Sequence, residues 1–246
     1  MTASPRTEDV IRFTLREVSE LSARFAGAQA EEVLRWGLET FGRRLVVASS
    51  FSVEDIVLID IASSIDSNVR VFTLDTGRLH QETYETIARV RERFGIEVEV
   101  MFPDRDAVER LVRSKGPNSF YESVANRKEC CAIRKVEPLR RVLRTADAWV
   151  TGMRREQSTT RSELRKVELD MLQGGLIKLN PLSDWSMEDI WNVVREKGLP
   201  YNPLHDAGYP SIGCAPCTRA IETHEDERSG RWWWETPDDR ECGLHK

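Results

Sequence analysis

Five short runs of β-forming residues recur along this chain of 246 residues, and segments with helical periodicity separate them. The runs cover residues 44–50, 69–75, 96–101, 147–152 and 176–181. Most of them are nearly continuously apolar, which is typical of strands buried on both faces of a parallel sheet. The alternation therefore predicts an α/β fold, in which helices cover both faces of a twisted parallel sheet.

The segments between the strand runs carry helix signals. Residues 53–65 and 80–95 have helical patterns, and Ser186 begins a capping-box sequence that leads into a further helical run. Ligands of such sheets bind at the carboxyl ends of the strands. The polar residues that follow the strand runs are therefore the first place to search for a site.

The chain divides into three stretches, which we expect to form one structural domain. Residues 1–42 indicate one or two amphipathic helices that pack on the sheet or on a second subunit, and residues 43–200 form the α/β core. Residues 201–246 are rich in proline, glycine, aromatic and charged residues. They predict an irregular segment folded over the site rather than part of the core.

Charge and composition exclude several classes of partner. The chain has 36 basic and 41 acidic residues, and this net charge of -5 gives no general reason to expect nucleic-acid or membrane-surface binding. The amino-terminal sequence alternates charged and apolar residues, which argues against a signal peptide. No segment approaches the roughly 20 apolar residues of a membrane span. We therefore expect a cytoplasmic protein, in a compartment where structural disulfides are rare.

Four of the five cysteines form two pairs. Cys214 and Cys217 stand in a glycine- and proline-containing turn, with a spacing that lets two thiolates converge on one metal centre. With the adjacent Cys130 and Cys131 they complete a four-thiolate set for a structural zinc ion or an iron-sulfur cluster. Adjacent cysteines diverge around a single ion unless the backbone bends, so the chemistry favours a cluster. Buried thiols with a redox-active pair are the alternative.

The fifth cysteine, Cys242, lies near the end of the sequence in the motif ECGLH. We expect it on a mobile segment, which suits a nucleophile that must reach two partners better than it suits a metal ligand. A chance surface cysteine is the alternative interpretation.

Polar residues follow three of the predicted strands. Ser49, Ser50 and Ser52 come directly after the first strand and open a helix, whose free N–H groups attract anions. Serines at this place are also common as plain helix caps. The second strand ends in LDTGRLH and the fourth in TGMRREQSTTR. Three such ends at one sheet edge predict a nucleotide crevice.

Arginines are frequent around the predicted crevice, where their planar groups can bind phosphate or sulfate oxygens with two hydrogen bonds each. They are Arg154, Arg155, Arg161, Arg219, Arg228 and Arg231. A surface ion pair is the alternative for each one. We interpret Trp232, Trp233 and Trp234 as packing anchors rather than as platforms for a base.

Six motifs together resemble the iron-sulfur-containing adenylyl-sulfate reductases of assimilatory sulfate reduction. The resemblance runs from about residue 44 to the end of the chain and rests on CC-x3-K (Cys130, Cys131 and Lys135), LDTGRLH, TGMRREQSTTR, GCAPCTR, GRWWWE and ECGLH. It implies a fold of the adenine nucleotide α-hydrolase (PP-loop) type. It also implies a 4Fe-4S cluster on Cys130, Cys131, Cys214 and Cys217.

The resemblance further implies a role for individual residues. Cys242 would attack the sulfur of adenosine 5′-phosphosulfate, and backbone groups of Leu74 and Gly152 would meet the adenosine. The phosphosulfate would be held by Lys135, Arg161, Arg228 and Arg231. Phosphate or ribose contacts would come from Ser49, Ser50, Ser52 and Asp55. The sequence SSFSVED departs from many members here, because Ser52 and Val53 replace a Gly-Ala pair.

The function implied is reduction of adenosine 5′-phosphosulfate to sulfite and AMP for cysteine biosynthesis. Thioredoxin or glutaredoxin would supply the thiols, and the protein would be a homo-oligomer. The nearest alternative is a phosphoadenylyl-sulfate reductase or an enzyme of dual specificity. A cluster-dependent tRNA-thiolating enzyme conflicts with the acidic balance. A non-enzymatic redox sensor or a zinc-stabilised binding module leaves Cys242 unexplained.

Overall fold

Six strands form one sheet in this computed structural model, which describes residues 12–157, 161–222, 224–236 and 244. The order across the sheet is β3-β2-β1-β4-β6-β5. The strands are β1 (Leu45–Ala48), β2 (Arg70–Leu74), β3 (Val98–Met101), β4 (Ala148–Val150), β5 (Val167–Asp170) and β6 (Leu176–Leu179). Each of the five predicted runs forms a strand, and these five pair in parallel.

The sixth strand, β5, was not predicted from the sequence and runs antiparallel to β6 at the edge of the sheet. Its sequence VELD is short and half charged, so it lacks the continuous apolar character of the inner strands. Glu168 pairs directly with Lys178 across the two strands, a cross-strand contact of opposite charges that suits an edge. The sheet is therefore mixed rather than purely parallel.

Eight α-helices are seen in the described ranges, besides short 3-10 and π-helical turns. They are α1 (Leu15–Phe25), α2 (Ala30–Phe41), α3 (Val53–Ile65), α4 (Gln81–Phe94), α5 (Arg105–Lys115), α6 (Val124–Cys131), α7 (Glu137–Leu143) and α8 (Met187–Lys197). The predicted capping box of α8 is confirmed, because Ser186 and Asp189 exchange side-chain and backbone hydrogen bonds. None of the helices in the described part of the chain is long and apolar enough to cross a membrane.

Helices cover both faces of the sheet, as predicted. Leu45 and Val47 of β1 point into a large core shared with α1, α2, α3 and α8. Val46 points to the opposite face, where a smaller core contains Leu139 and Val142 of α7. This alternation follows from the two-residue period of a strand, and both faces are apolar because both are buried.

The strand order places a switch point between β1 and β4. From β1 the chain continues to β2 and β3 on one side, whereas β4 and β6 lie on the other. Connections that leave in opposite directions open a crevice at the carboxyl ends of the two central strands. The turns after β1 and β4 therefore border the same space.

Candidate functional site

A cavity of about 220 Å³ lies at the carboxyl ends of β1 and β4, and we call it the main cavity. Its wall contains all ten residues that the sequence analysis proposed for substrate binding. They are Ser49, Ser50, Ser52, Asp55, Leu74, Lys135, Gly152, Arg161, Arg228 and Arg231. The structure thus brings together residues that are spread over more than 180 positions of the sequence.

The turn from β1 into α3 is organised around Asp55. Its Oδ2 atom accepts hydrogen bonds from the Ser50 backbone N–H at 2.6 Å, the Ser50 hydroxyl at 2.8 Å and the Ser52 hydroxyl at 3.2 Å. Burial raises the pKa of Asp55 to about 6, although the bonds from Ser50 oppose this. Phe51 has a φ of 59°, a left-handed conformation that this network holds in place. Asp55 therefore shapes the turn as well as lining the cavity.

Gly152 follows β4 and faces Asp55 across the crevice. A Cβ atom at this position would lie 2.5 Å from Asp55 Oδ1 and 3.1 Å from the Glu54 Cβ. Only glycine allows the two turns to approach this closely. The requirement is one of space, since Gly152 does not have a positive φ.

Replacing Gly152 by alanine is expected to destabilise the protein by about 1–3 kcal/mol, because the new methyl group pushes Asp55 out of its hydrogen bonds. Nucleotide affinity should fall as well, since both residues line the main cavity. Chemical denaturation and AMP titration measure the two effects. Gly27→Ala is the matched control, because its Cβ meets nothing within 4 Å. Equal stability and affinity of the two variants would contradict this account of Gly152.

A buried ionic network joins the two sides of the main cavity. Arg154 is fully buried, and it contacts Glu54 at 3.1 Å and Glu227 at 3.4 Å. Gln157 donates to Glu54 at 2.8 Å and accepts a hydrogen bond from Arg161. Burial, together with the charge of Glu54, raises the pKa of Glu227 to about 7. Arg154 is thus committed to carboxyl groups, whereas the sequence analysis had placed it among the anion-binding candidates.

The other arginines fall into two groups. Arg219 binds both oxygens of Glu225, at 2.5 and 3.0 Å, so it forms the ion pair that was its alternative interpretation. Arg231 is buried and lies so close to Gly213 that any side chain there would collide with its guanidinium group. Arg231 and Arg228 reach the main cavity from the carboxyl-terminal side.

The four paired cysteines line a second, smaller cavity next to the main one, and we call it the cysteine cavity. Cys130 and Cys131 end α6, and a π-helical turn over Ala132–Val136 follows at once. The π-helical turn widens the backbone spiral directly after the adjacent thiols. Cys214 and Cys217 come from a loop whose Cys217 N–H donates to the Cys214 carbonyl at 2.9 Å.

The electrostatic surroundings of the two loop cysteines differ. Burial opposes ionisation of Cys214, but Lys135, a hydrogen bond with Thr76 and the charge of Arg231 outweigh it and lower its pKa. Burial, followed by the charge of Cys214, raises the pKa of Cys217 to about 12. Two cationic residues of the main cavity, Lys135 and Arg231, therefore act on Cys214.

Two buried N–H groups around the cysteine cavity have no hydrogen-bond partner in the described part of the protein: Arg134 Nε and Trp232 Nε1. Unpaired buried donors are costly, and they suit an anionic group with sulfur acceptors between them. Within the same ranges, no three His, Cys, Asp or Glu side chains have the arrangement of a single metal-ion site.

Two of the three consecutive tryptophans are anchored by packing contacts. Trp232 is 1% exposed and lies between the guanidinium groups of Arg127 and Arg231, each 4.8 Å from its ring. Trp234 packs edge-on against Tyr121, with 4.5 Å between ring centroids. Trp232 also forms part of both cavity walls.

Cys242 lies outside the described residues. Leu244, two positions further along the chain, is described, and it lines the main cavity while packing on the smaller core. Sequence reasoning missed Leu244, Glu54, Gln157 and Glu227 as cavity residues. Only the acidic pair that follows SSFSV gave a signal for Glu54.

Comparisons with known proteins show that this chain is similar to a family of reductases. The model of the phosphoadenosine phosphosulfate reductase domain matches residues 44–220. An adenosine 5′-phosphosulfate reductase of Burkholderia cepacia is 55% identical over 80% of this chain and 79% of its own length. The chloroplastic 5′-adenylylsulfate reductase 3 of Arabidopsis thaliana is 46% identical over 99% of this chain, which spans 54% of that longer protein.

A solved structure of a related reductase has a similar fold. The phosphoadenylyl-sulfate reductase of Candida auris, in complex with phosphate, superposes with a TM-score of 0.73 and 26% identity. The match covers 86% of this chain and 99% of that one. Since the family model covers more than half of the sequence, the chain belongs to the phosphoadenosine phosphosulfate reductase domain family.

Proposed function

We propose that this protein reduces adenosine 5′-phosphosulfate to sulfite and AMP with electrons from a dithiol protein, as a step of sulfate assimilation towards cysteine. The observation that carries the proposal is the main cavity at the switch point. Its wall combines a serine-rich turn at a helix start with Lys135, Arg161, Arg228 and Arg231. Relatives with 45–55% identity carry the name of this activity.

The proposed first step is a displacement at sulfur by Cys242. Its thiolate forms a bond to the sulfur of the substrate, and the bond between that sulfur and the phosphate oxygen breaks. AMP leaves with the electron pair, and the enzyme keeps the sulfonate on Cys242. Support comes from Leu244, which stands two positions from Cys242 in the sequence and lines the main cavity.

The proposed second step returns the enzyme to its starting form. A thiolate of thioredoxin or glutaredoxin attacks the Cys242 sulfur and displaces sulfite, which leaves a mixed disulfide. The second thiol of the donor then breaks that disulfide and regenerates Cys242. The two electrons that reduce sulfur(VI) to sulfur(IV) thus come from the donor's two thiols. Which donor acts, and whether the protein is a homo-oligomer, stay predictions.

The cationic residues of the main cavity offset charge repulsion between the thiolate and the anionic substrate. Lys135 and Arg231 lie close enough to Cys214 to lower its pKa, so their field reaches the boundary between the two cavities. Arginine and lysine also stabilise the negative charge that gathers on departing AMP. Their contribution is positional and electrostatic, and they exchange no proton with the substrate.

We further propose a 4Fe-4S cluster in the cysteine cavity, held by Cys130, Cys131, Cys214 and Cys217. The four thiols share one cavity, and the unpaired N–H groups of Arg134 and Trp232 supply donors for sulfur atoms. The side chains of the adjacent Cys130 and Cys131 diverge around a single ion unless the backbone bends, and this favours a cluster over zinc. When bound, the cluster would tie α6 to the 214–217 loop and contribute to the local electrostatic field.

Substrate choice between the two known nucleotides is the main alternative. The similarity to the Candida auris phosphoadenylyl-sulfate reductase keeps the 3′-phosphorylated substrate, or dual specificity, as the second candidate. The nearest relatives in identity carry the unphosphorylated substrate in their names.

Steady-state kinetics with both nucleotides test this choice. We expect kcat/KM for adenosine 5′-phosphosulfate to exceed that for the 3′-phosphorylated form by at least roughly tenfold, because relatives with 55% and 52% identity are named for the unphosphorylated substrate. Thioredoxin in excess keeps the second step from limiting the rate. Equal values, or a preference for the 3′-phosphorylated form, would contradict the proposed substrate.

A further inference from the structure

Arg127 lines the cysteine cavity next to Cys131 and forms a buried ion pair with Glu235, and the proposed mechanism assigns this pair no role. We infer that Arg127 is a positioning residue that links the two cavities: held by Glu235, it fixes the Trp232 ring, which belongs to both walls. This inference rests on the function proposed above, which predicts that AMP binds in the main cavity and iron in the cysteine cavity. It concerns residues that touch neither substrate nor product.

Two hydrogen bonds join Arg127 to Glu235, and we call this ion pair the clamp. Arg127 Nε and Nη2 donate to the two carboxylate oxygens of Glu235 at 3.0 and 2.6 Å. The side chains are 0% and 2% exposed, so almost no water screens them. Arg127 lies on α6, one turn before Cys131, whereas Glu235 lies 108 positions further along the sequence. One contact thus joins the cysteine helix to the carboxyl-terminal segment.

Trp232 needs to be held by its neighbours. Its φ of 44° is a left-handed conformation that a bulky residue rarely adopts without support from its surroundings. The Arg127 guanidinium lies 4.8 Å from the centre of the Trp232 ring. The Trp232 backbone N–H donates to the Cys217 carbonyl at 3.1 Å. Arg231, the next residue towards the amino terminus, reaches the main cavity. A shift of Trp232 therefore disturbs the Cys217 loop and Arg231 together.

Position 127 requires arginine, because its side chain contacts a carboxylate and an indole ring at the same time. A guanidinium group can bind a carboxylate with two parallel hydrogen bonds while its flat face stacks on an indole. The ammonium group of lysine is a point charge that cannot do both. Arg127→Lys should therefore keep the charge but fail to restore the position of Trp232.

Separating positioning from plain stability takes a pair of substitutions. Arg127→Met alone leaves the Glu235 carboxylate buried without its cation, and such variants lose stability for that reason alone. Arg127→Met combined with Glu235→Leu leaves neither member of this pair buried without the other, and exchanging a buried pair for apolar residues is often neutral for stability. We therefore expect the double variant to lose the Arg127–Glu235 contact while its folded state stays close to wild type in stability.

A second arginine–carboxylate pair with two hydrogen bonds, whose arginine side chain is 31% exposed, provides the control. Arg44 Nε and Nη2 donate to Asp147 at 2.5 and 2.6 Å, and the Asp147 side chain is fully buried. These residues precede β1 and β4, so they lie at the sheet edge opposite both cavities. Arg44→Met combined with Asp147→Leu reproduces the substitution without touching Trp232.

The experiment measures three quantities on anaerobically purified full-length protein: melting temperature, AMP dissociation constant by calorimetry, and the rate at which a chelator removes iron. For the Arg127/Glu235 double variant we expect roughly tenfold weaker AMP binding and roughly tenfold faster iron loss. Arg127→Lys should show the same two defects in milder form. The Arg44/Asp147 double variant should match wild type in both, whatever its melting temperature.

The outcomes separate this inference from the proposed function. Wild-type protein that binds neither AMP nor iron would overturn the proposed function itself. A different result would overturn only the positioning role. In that result, wild-type protein binds both AMP and iron, and the two double variants have the same AMP affinity and the same rate of iron loss at equal melting temperature. A defect in both AMP affinity and iron retention that is confined to the Arg127 variants supports it. Faster iron loss with unchanged AMP affinity would overturn it, because the interaction of Arg127 with Cys131 explains that result without Trp232.

Discussion

Replacing Cys242 by serine is expected to lower sulfite release from adenosine 5′-phosphosulfate on the order of 10⁴-fold or more. A serine hydroxyl stays protonated at neutral pH, so the displacement loses its nucleophile. Nothing else should change, because Cys242 is not among the proposed metal ligands. A sulfite assay with thioredoxin in excess measures the loss.

The control readings for Cys242→Ser are AMP affinity and iron content, both of which should equal those of wild-type protein. The variant should also bind substrate without releasing AMP. Sulfite production within about tenfold of wild type would remove Cys242 from the mechanism, since losing a covalent nucleophile costs far more than that.

Replacing Cys217 by serine is expected to give the opposite pattern, with loss of nearly all iron and visible absorbance and, as a consequence, loss of turnover. A serine hydroxyl is a poor ligand for iron in a site built from thiolates. Cys217 lies in the short turn that begins at Cys214, and its carbonyl accepts the Trp232 N–H. Loss of the metal should therefore also weaken AMP binding at the adjoining main cavity.

Metal analysis and absorption spectra check this second prediction, and Cys242→Ser is its matched control because the same exchange there should leave the iron in place. A Cys217→Ser protein with full iron content and full activity would exclude Cys217 from the ligand set. Stoichiometric zinc in wild-type protein, without iron, would exclude the cluster itself.

The fold was largely readable from the sequence, because buried parallel strands have a strong local signal. The runs around Val46, Val71 and Val150 are apolar and bounded by polar turns, and each forms an inner strand. The edge strand Val167–Asp170 lacks that signal, since half of its residues are charged and its partner decides its conformation. Helices α5 to α7 were likewise not assigned from the sequence.

The composition of the main cavity was predictable because loops at strand ends carry their chemistry in short motifs. The ionic contacts that support it were not predictable. Arg154 and Glu54 are 100 positions apart in the sequence, and Arg127 and Glu235 are 108 apart. No periodicity or spacing rule connects such pairs, so only the folded structure shows that Arg154 serves carboxyl groups rather than an anionic ligand.

The two cavities share a wall, and this arrangement relates the four paired cysteines to the main cavity. Lys135, Cys214 and Trp232 border both spaces. Any group held by the cysteines therefore acts on the substrate through residues that already touch the main cavity. The proposed cluster would therefore affect nucleotide binding without a direct contact between the two groups.

The central claim is that one cysteine carries the sulfonate, and a single-turnover reaction without a thiol donor tests it most directly. Protein is mixed with adenosine 5′-phosphosulfate that carries labelled sulfur, digested, and analysed by mass spectrometry while released AMP is counted. We expect one label per released AMP, all of it on the peptide that contains Cys242. Label on Cys130, Cys131, Cys214 or Cys217, or AMP release without any labelled peptide, would contradict the account.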